Sequence, residues 1–230
     1  YKDKEREEKL LQFLDYIRPN ARKLYILGDL FDFFFEYKKV VPKETVKVFG
    51  KLYQLAQEDI QVYFMGGNHD WWEKGLLKDL GIAKIPSPYS TIIDGLKFYL
   101  HHGDGIAAQD WKYRAMRKII RSKWTILPFS FIHPDISRKL VSLFSYSSRR
   151  VSQEKPDYSP AYELFIKARL EEGYDAVIMG HTHIPAFKKY PDGIYINTGD
   201  WLKHFTYCKL AEGEIELCHW TDGKDSIVTG

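Results

Sequence analysis

The chain has 230 residues, of which 44% are hydrophobic, and a formal net charge of +3. A chain of this length can bury a substantial core, so we expect a single domain. It has no run of about 18 apolar residues and no signal-peptide pattern, which excludes a membrane-spanning class and fits a cytoplasmic setting. Cys208 and Cys218 are the only cysteines, so we expect reduced thiols and neither a disulfide scaffold nor a thiolate metal site.

Hydrophobic spacing predicts that helices and strands alternate along the chain. Apolar residues at helical spacing predict one helix that includes 10–17 and a second over 43–59. Ser159 and Pro160 predict the start of a third helix. Beyond residue 180, turns that contain glycine separate three predicted hairpin strands, at 194–197, 205–210 and 215–220. This alternation favours an α/β fold.

Four short apolar runs are each followed closely by polar residues. The runs cover 23–27, 62–65, 96–100 and 176–179, and their length and glycine borders are typical of buried strands. The polar residues that follow them are Asp29, Asn68, His69, Asp70, His102, His181 and His183. Because ligands in open α/β sheets gather beyond the carboxyl ends of the strands, we expect these side chains to lie along one edge.

These polar residues form a mixed set of possible metal ligands. A carboxylate, an amide oxygen and neutral imidazoles suit Mn²⁺, Fe or Zn better than Ca²⁺. Each motif alone has an ordinary explanation, because a single His after a strand is more often a hydrogen-bonded structural residue and Gly-Asp is a common turn. Four such motifs in succession favour a metal site.

Taken in chain order, Gly28-Asp29, Gly67-Asn68-His69-Asp70, His102-Gly103-Asp104 and Gly180-His181-Thr182-His183 resemble the motifs of the calcineurin-like metallophosphoesterase superfamily. Within it, the segments 27–37 and 197–201 are similar to the UDP-2,3-diacylglucosamine hydrolases of lipid A synthesis. The similarity covers nearly the whole chain, but many of these hydrolases have Arg at the position of His69. It implies a four-layer αββα sandwich with two mixed sheets.

The resemblance also implies two divalent metal ions, with Mn²⁺ as the first expectation and Fe or Zn as alternatives. Asp29 would bridge the two ions. Three further residues would complete one site, namely Asn68, His102 and His181. His183 would help to hold the other ion. A water that bridges such ions, which lie about 4 Å apart, becomes a hydroxide able to attack phosphorus.

In the same scheme His69 is a catalytic residue and not a ligand. It would donate to the phosphoryl oxygens or protonate the leaving group, and Asp70 would orient it. The implied reaction is hydrolysis of the pyrophosphate bond of UDP-2,3-diacylglucosamine, which yields UMP and 2,3-diacylglucosamine 1-phosphate.

One superfamily motif, the Asp-x-His that follows the first strand, does not occur in these 230 residues. In the family the amino-terminal helix follows that motif. We therefore expect that the native protein begins upstream and that this chain is a single metallophosphoesterase domain over 1–230 that lacks its first strand. If the motif were natively absent, a non-catalytic binding module would be the alternative.

Residues 111–150 contain ten Lys and Arg, one acidic residue and seven aromatic residues. We expect a basic, aromatic, helical lid insertion over 106–158 that contacts an anionic membrane surface and the lipid-linked nucleotide-sugar substrate. The residues expected to bind that substrate are Arg117, Arg121, Phe129 and Phe131. This predicts a cytoplasmic protein that is peripheral at the inner membrane. A solvated basic face with packed aromatic residues is the alternative.

Basic residues interleaved with aromatic residues are also found in proteins that bind single-stranded nucleic acid. The overall charge of only +3 and the apolar run 124–132, which a nucleic acid does not need, favour a lipid. We therefore expect no nucleic-acid partner. Hydrolysis of another phosphodiester or of nucleic acid is the alternative function, and the sequence predicts no oligomeric state.

Overall fold

The computed structural model describes the chain except for residues 1, 107–114, 116–117, 120–121, 135, 138–159, 222 and 229–230. Most of the expected lid insertion, including Arg117 and Arg121, therefore lies outside the described residues. The helices in the described part are α1 (Lys2–Ile17), α2 (Val46–Gln57), α3 (Leu76–Asp79), α4 (Lys123–Phe129) and α5 (Pro160–Glu171).

The strands follow the predicted apolar runs and add several short ones. They are β1 (Lys23–Ile26), β2 (Gln61–Met65), β3 (Ala83–Ile85), β4 (Tyr89–Ile93), β5 (Leu96–His101), β6 (Ala176–Met179), β7 (Ala186–Tyr190), β8 (Gly193–Asn197), β9 (Thr206–Ala211), β10 (Glu214–Thr221) and β11 (Lys224–Ile227). The sequence does not predict β3, β4, β7 and β11. None of these four has a run of buried apolar residues.

The strands form one sheet of five and two sheets of three. The five-stranded sheet has the order β4-β5-β6-β8-β7, with a parallel centre of β5, β6 and β8 and an antiparallel strand at each edge. A parallel sheet has the order β1-β2-β3. An antiparallel sheet has the order β11-β10-β9.

Three apolar clusters set the order of the layers. Residues of α1 and α2 pack on one face of the two small sheets, through Phe13, Leu14, Leu52, Phe64 and Trp220. The other face of these sheets packs on the five-stranded sheet, through Met65, Leu100, Ile178, Ile196 and Leu217. Helix α5 covers the far side of the five-stranded sheet, through Ile166, Leu170, Val177 and Tyr195. The layers are therefore helix, sheet, sheet and helix, which confirms the expected αββα arrangement.

The sheet layer under α1 and α2 is not one continuous sheet among the described strands. It consists of the parallel and the antiparallel three-stranded sheets, and no described strand joins the outer edge of β1 to the outer edge of β9. Both edges line one cavity of about 2550 Å³ that reaches the polar residues at the ends of β1, β5 and β6. The layer is therefore divided in two along this cavity.

Three local predictions can be compared with the structure. Helix α5 begins at Pro160, and Gly173 follows its end with a φ of +85°, a conformation that glycine adopts without strain. Cys208 and Cys218 are free thiols. In the described part of the chain, no helix has the length and apolar character needed to cross a bilayer.

Candidate metal centre

Two glycines bring the loop after β1 against the loop after β2. A Cβ on Gly28, whose φ is +93°, would lie 2.6 Å from the backbone nitrogen of Gly67. A Cβ on Gly67 would lie 2.1 Å from Oδ1 of Asp29. Any other residue at either position would push the loops apart, so the close approach of Asp29 to the second loop depends on both glycines.

Asp29 has a left-handed backbone conformation, with a φ of +55°. The buried Asp70 carboxylate holds that conformation, because Oδ1 accepts hydrogen bonds from the backbone N–H of Asp29 at 3.0 Å and of Gly67 at 2.9 Å. Its Oδ2 accepts from the N–H of Leu30 at 2.6 Å and of Phe31 at 3.4 Å. Burial and the charge of Asp29 raise the pKa of Asp70 to about 6, against these backbone hydrogen bonds.

These contacts correct the expected role of Asp70. Both of its oxygens bind backbone N–H groups of the two loops. The His69 ring instead places Nδ1 2.9 Å from the carbonyl oxygen of Asp32. Asp70 therefore fixes the loop that carries Asp29, and the Asp32 carbonyl orients His69. Sequence alone gave no sign of this, because it shows side-chain types and not their directions.

Four of the predicted ligands converge on one point. Nε2 of His102 lies 3.0 Å from Oδ1 of Asn68, 3.3 Å from Oδ2 of Asp29 and 3.3 Å from Nδ1 of His181. Oδ1 of Asn68 lies 3.2 Å from Nδ1 of His181. Ligands bound at about 2.0 to 2.1 Å in a tetrahedral site lie about 3.3 Å from one another. The spacing and chemistry of these atoms therefore fit a divalent metal ion of the Mn, Fe or Zn type.

The hydrogen bonds of His102 prepare it for a metal. The ring is buried, and its Nδ1 lies 2.7 Å from the carbonyl oxygen of Leu27, to which it donates. This bond fixes the tautomer and leaves the lone pair of Nε2 directed at Asn68 and Asp29. A metal-binding histidine usually donates its other ring nitrogen in this way.

The charges of Asp29 and His102 act on each other, because Nε2 of His102 lies 3.3 Å from Oδ2 of Asp29. Burial lowers the pKa of His102, but the Asp29 carboxylate raises it more strongly, to about 9. Burial and the charge of His102 lower the pKa of His181 to about 4. Burial raises the pKa of Asp29, but His102 and His69 outweigh it and hold that pKa below its usual range. A metal ion that binds here must displace the proton of His102.

This displacement predicts a pH dependence. His102 binds its proton more tightly in the folded chain than in the unfolded chain, so its contribution to stability is fully present below pH 6.5 and is lost as the pH rises to about 9. We expect the free energy of unfolding in EDTA, measured with urea, to fall over this range in the wild type more than in His102→Gln. Metal affinity should rise over the same range. Equal pH slopes for both proteins would contradict the ion pair.

His183 lies beside the cluster and not within it. Its Nδ1 is 3.8 Å from Oδ2 of Asp200, and its side chain is 37% exposed. The Asp200 carboxylate accepts backbone hydrogen bonds from Leu202, Lys203 and His204. Burial raises the pKa of Asp200, but these bonds lower it more, so Asp200 places a fixed negative charge next to His183. His183 is therefore not one of the described residues grouped as possible ligands with Asp29.

Asn197 positions the loop that carries both histidines, and sequence reasoning gave it no role. Its Nδ2 donates to the carbonyl oxygen of Gly180 at 2.9 Å and to Oγ1 of Thr182 at 3.0 Å. Its Oδ1 accepts from the N–H of Gly199 at 3.0 Å. The signal that could have identified it is its place at the end of β8, the strand that pairs with β6.

The two predicted substrate phenylalanines have different surroundings. The ring of Phe129, at the end of α4, stacks on Trp72 at 5.6 Å and packs on Phe35 at 5.0 Å and Phe33 at 6.2 Å. Phe131 is 83% exposed. Phe129 therefore attaches α4 to the loops around His69, whereas Phe131 projects away from this aromatic cluster.

The sequence of this chain is similar to a known protein family and to several characterised proteins. A family model described as calcineurin-like phosphoesterase matches residues 4–185. A UDP-2,3-diacylglucosamine hydrolase from Porphyromonas gingivalis is 29% identical over 221 residues, which cover 87% of this chain and 84% of that protein. One from Shewanella halifaxensis is 28% identical over 224 residues, which cover 93% of this chain and 91% of that protein.

A solved structure, the Vps29 double mutant from Entamoeba histolytica, is similar with a TM-score of 0.46 and 16% identity, and covers 94% of this chain and 87% of that one. Similarity at this level adds nothing to the assignment. The family model, in contrast, spans most of the chain and includes all four strand-end motifs. The chain therefore belongs to the calcineurin-like phosphoesterase family.

Proposed function

We propose that this metal-dependent hydrolase cleaves the pyrophosphate bond of UDP-2,3-diacylglucosamine to give UMP and 2,3-diacylglucosamine 1-phosphate. The observation that carries the chemistry is the convergence of Asp29, Asn68, His102 and His181 on one point. The substrate class is supported by the curated relatives, which bear this activity in their names and match over most of their length.

Each ligand has a defined part in the proposal. Asn68, His102 and His181 would hold one ion together with Asp29, and Asp29 and His183 would contribute to holding a second. Divalent ions bound there lower the pKa of a coordinated water and neutralise the charge that develops on the phosphate. Mn²⁺ is the ion we propose first, with Fe and Zn as alternatives that the same ligand types accept.

His69 is proposed to act on the substrate. The backbone N–H of His69 donates to Oδ1 of Asp29 at 2.9 Å, which places the residue next to the shared carboxylate. Its Nδ1 is held by the Asp32 carbonyl, so the Nε2 edge is available to a phosphoryl oxygen or to the leaving group. The ring is not part of the ligand cluster. His69 is therefore a proton donor to the reacting group in this scheme.

Replacing His69 with Ala should lower kcat by roughly 10²-fold or more, because a positioned acid contributes about that much. The metal content should stay unchanged, since the four ligand side chains remain. His219→Ala, in strand β10 and away from the centre, is the matched control and should keep full activity. Metal analysis of the purified proteins distinguishes a proton donor from a metal ligand. Loss of metal in parallel with activity would make His69 a ligand.

We further propose that α4 faces the acyl chains or the anionic leaflet. Trp124 and Leu127 of α4 are 88% and 63% exposed. Phe131, two residues after the helix, is 83% exposed, so this segment has an apolar exposed surface. Phe129, on the same helix, packs on the aromatic residues next to the centre. Helix α4 thus connects an exposed apolar surface to the loops that hold His69.

The two phenylalanines provide a direct test of this surface. Phe131→Ser should lower kcat/KM for the acylated substrate about tenfold or more, because burial of a Phe side chain contributes about 1.5 to 3 kcal/mol. Turnover of a short phosphodiester and thermal stability should not change, since Phe131 has few neighbours to lose. Phe129→Ser should lower turnover of both substrates. Equal losses on both substrates for Phe131→Ser would contradict the lipid-facing role.

A substrate panel tests the proposed function as a whole. The chain is assayed with Mn²⁺ against UDP-2,3-diacylglucosamine, bis-p-nitrophenyl phosphate and single-stranded DNA. We expect kcat/KM for the lipid to exceed that for the other two by at least about 10²-fold, since only the lipid contacts both the centre and α4. DNA cleavage at a rate equal to or above that of the lipid would favour a nuclease instead.

A further inference from the structure

Gly103 lies at the contact between the two loops that carry His102 and His181. It is buried, and a Cβ at this position would lie 2.8 Å from Cβ of His181 and 2.9 Å from the carbonyl oxygen of Gly180. In addition, the N–H of Gly180 donates to the carbonyl oxygen of His102 at 3.1 Å. The path of the backbone at Gly103 therefore sets how closely the loop of His102 approaches the loop of His181.

The glycine does not fix this path by itself. Gly103 has a φ of +117°, which residues with a side chain rarely adopt, and glycine populates many backbone conformations at little cost. The orientation of its peptide groups must then come from their hydrogen bonds. A buried backbone group without a partner costs about as much as a lost hydrogen bond, so the partners of Gly103 determine where the loop lies.

The N–H and the carbonyl of Gly103 each have a side-chain partner. The N–H donates to Nδ1 of His101 at 2.7 Å, and the carbonyl oxygen accepts from the hydroxyl of Tyr162 at 2.9 Å. The His101 ring packs on Phe165 of α5, with 5.7 Å between the ring centroids. Tyr162 lies in the first turn of α5, so this one helix supports both bonds.

The bond between Tyr162 and Gly103 joins two parts of the chain that are 59 residues apart. The expected lid insertion, 106–158, lies between these two residues in the sequence. Helix α5 is attached to the five-stranded sheet through Ile166 and Leu170, so Tyr162 donates its hydroxyl from an element that is fixed to the core. The bond therefore holds the two ends of the insertion together beside the metal centre.

We propose that Tyr162 is a positioning residue of the metal centre. Its hydroxyl fixes the carbonyl of Gly103, which keeps Nε2 of His102 and Nδ1 of His181 at the separation of 3.3 Å that suits one ion. The inference rests on the metal centre of the proposed function, and it adds a residue that acts through the backbone of Gly103 and not as a ligand. Removal of such an outer partner typically costs about 10- to 100-fold in metal affinity or activity.

Tyr162→Phe tests this role because it removes only the hydroxyl. We expect the dissociation constant for Mn²⁺, measured by isothermal titration, to rise about tenfold or more. Turnover of bis-p-nitrophenyl phosphate should then need about tenfold more Mn²⁺, while KM for this ester at saturating Mn²⁺ stays unchanged. Tyr190→Phe is the matched control, since its hydroxyl donates to Glu163 of α5 at the same distance of 2.9 Å, and it should bind Mn²⁺ like the wild type. A lower Tm for Tyr162→Phe with unchanged Mn²⁺ affinity would make Tyr162 an ordinary structural residue and overturn the proposal.

NMR spectra in EDTA keep the test independent of hydrolysis. Tyr162→Phe should shift the ring resonances of His102 and His181, because the two loops move, and Tyr190→Phe should leave them in place. If the wild type bound no Mn²⁺, the proposed function would fail, yet these spectra would still decide whether Tyr162 positions the two histidines. Unchanged ring resonances in Tyr162→Phe would overturn the proposal. A loss of turnover confined to UDP-2,3-diacylglucosamine would also overturn it, because Tyr162 would then be a substrate contact.

Discussion

Asp29→Ala should lower kcat/KM by roughly 10³-fold or more, which corresponds to about 4 kcal/mol of transition-state stabilisation. The Asp29 carboxylate lies 3.3 Å from Nε2 of His102, and its Oδ1 accepts the N–H of His69 at 2.9 Å. A bridging carboxylate serves both ions, so we expect the variant to lose more than one bound ion per chain. Metal analysis beside the activity assay measures both effects.

Two further variants make the Asp29 result specific. Asp29→Asn keeps the shape of the side chain and an oxygen for the N–H of His69 but removes the charge, so it should also lose metal. Asp79→Ala removes an exposed carboxylate of α3 and should leave activity and metal content unchanged. If Asp29→Ala retained as much metal as the wild type, the bridging role would be wrong even if activity fell.

Asp70→Ala should be the most destabilising single change in the centre. It would leave the backbone N–H groups of Asp29, Leu30, Phe31 and Gly67 without their acceptor. Each buried donor left unsatisfied costs about 1 to 3 kcal/mol, so even after relaxation of the loops we expect a loss on the order of 4 kcal/mol. Urea unfolding in EDTA measures this loss without a contribution from bound metal.

Metal content and activity distinguish the two roles considered for Asp70. If Asp70 fixes the loop of Asp29, Asp70→Ala lowers stability, metal content and activity together, and Asp70→Asn does so to a smaller extent because it keeps one oxygen. If Asp70 oriented His69, as the family resemblance implies, activity would fall while stability and metal content stayed close to the wild type. Asp79→Ala is again the matched control, since most exposed substitutions change stability by less than about 0.5 kcal/mol.

The sequence could bring the candidate ligands together because each follows a strand that is marked by its own apolar run. β5 and β6 are parallel neighbours, so His102 and His181 had to emerge at the same sheet edge. The meeting of Asn68 with these histidines joins two different sheets. No local pattern contains that contact, because it depends on how the sheets stack. The expectation that Asn68 meets these histidines came from the resemblance to a known family.

The directions and burial of several side chains in the site could not be predicted from the sequence, for a physical reason. The bonds from Asp70 to the loop of Asp29 and the bond from Asn197 to Thr182 depend on where a side chain points across 15 or more residues of chain. Phe129 and Phe131 are two positions apart and chemically identical, yet one is packed and the other exposed. The apolar runs of β1 and β9 also do not show which strands lie beside them, because strand order depends on how the chain folds back on itself.

Product analysis with UDP-2,3-diacylglucosamine tests the proposed function most directly. The chain, loaded with Mn²⁺, is incubated with the lipid in water enriched in ¹⁸O, and the products are identified by mass spectrometry. We expect UMP and 2,3-diacylglucosamine 1-phosphate, with ¹⁸O in one of the two phosphates and no products in EDTA. UDP together with the free lipid sugar, or no turnover of the lipid by a metal-loaded chain that cleaves a simple phosphodiester, would contradict it.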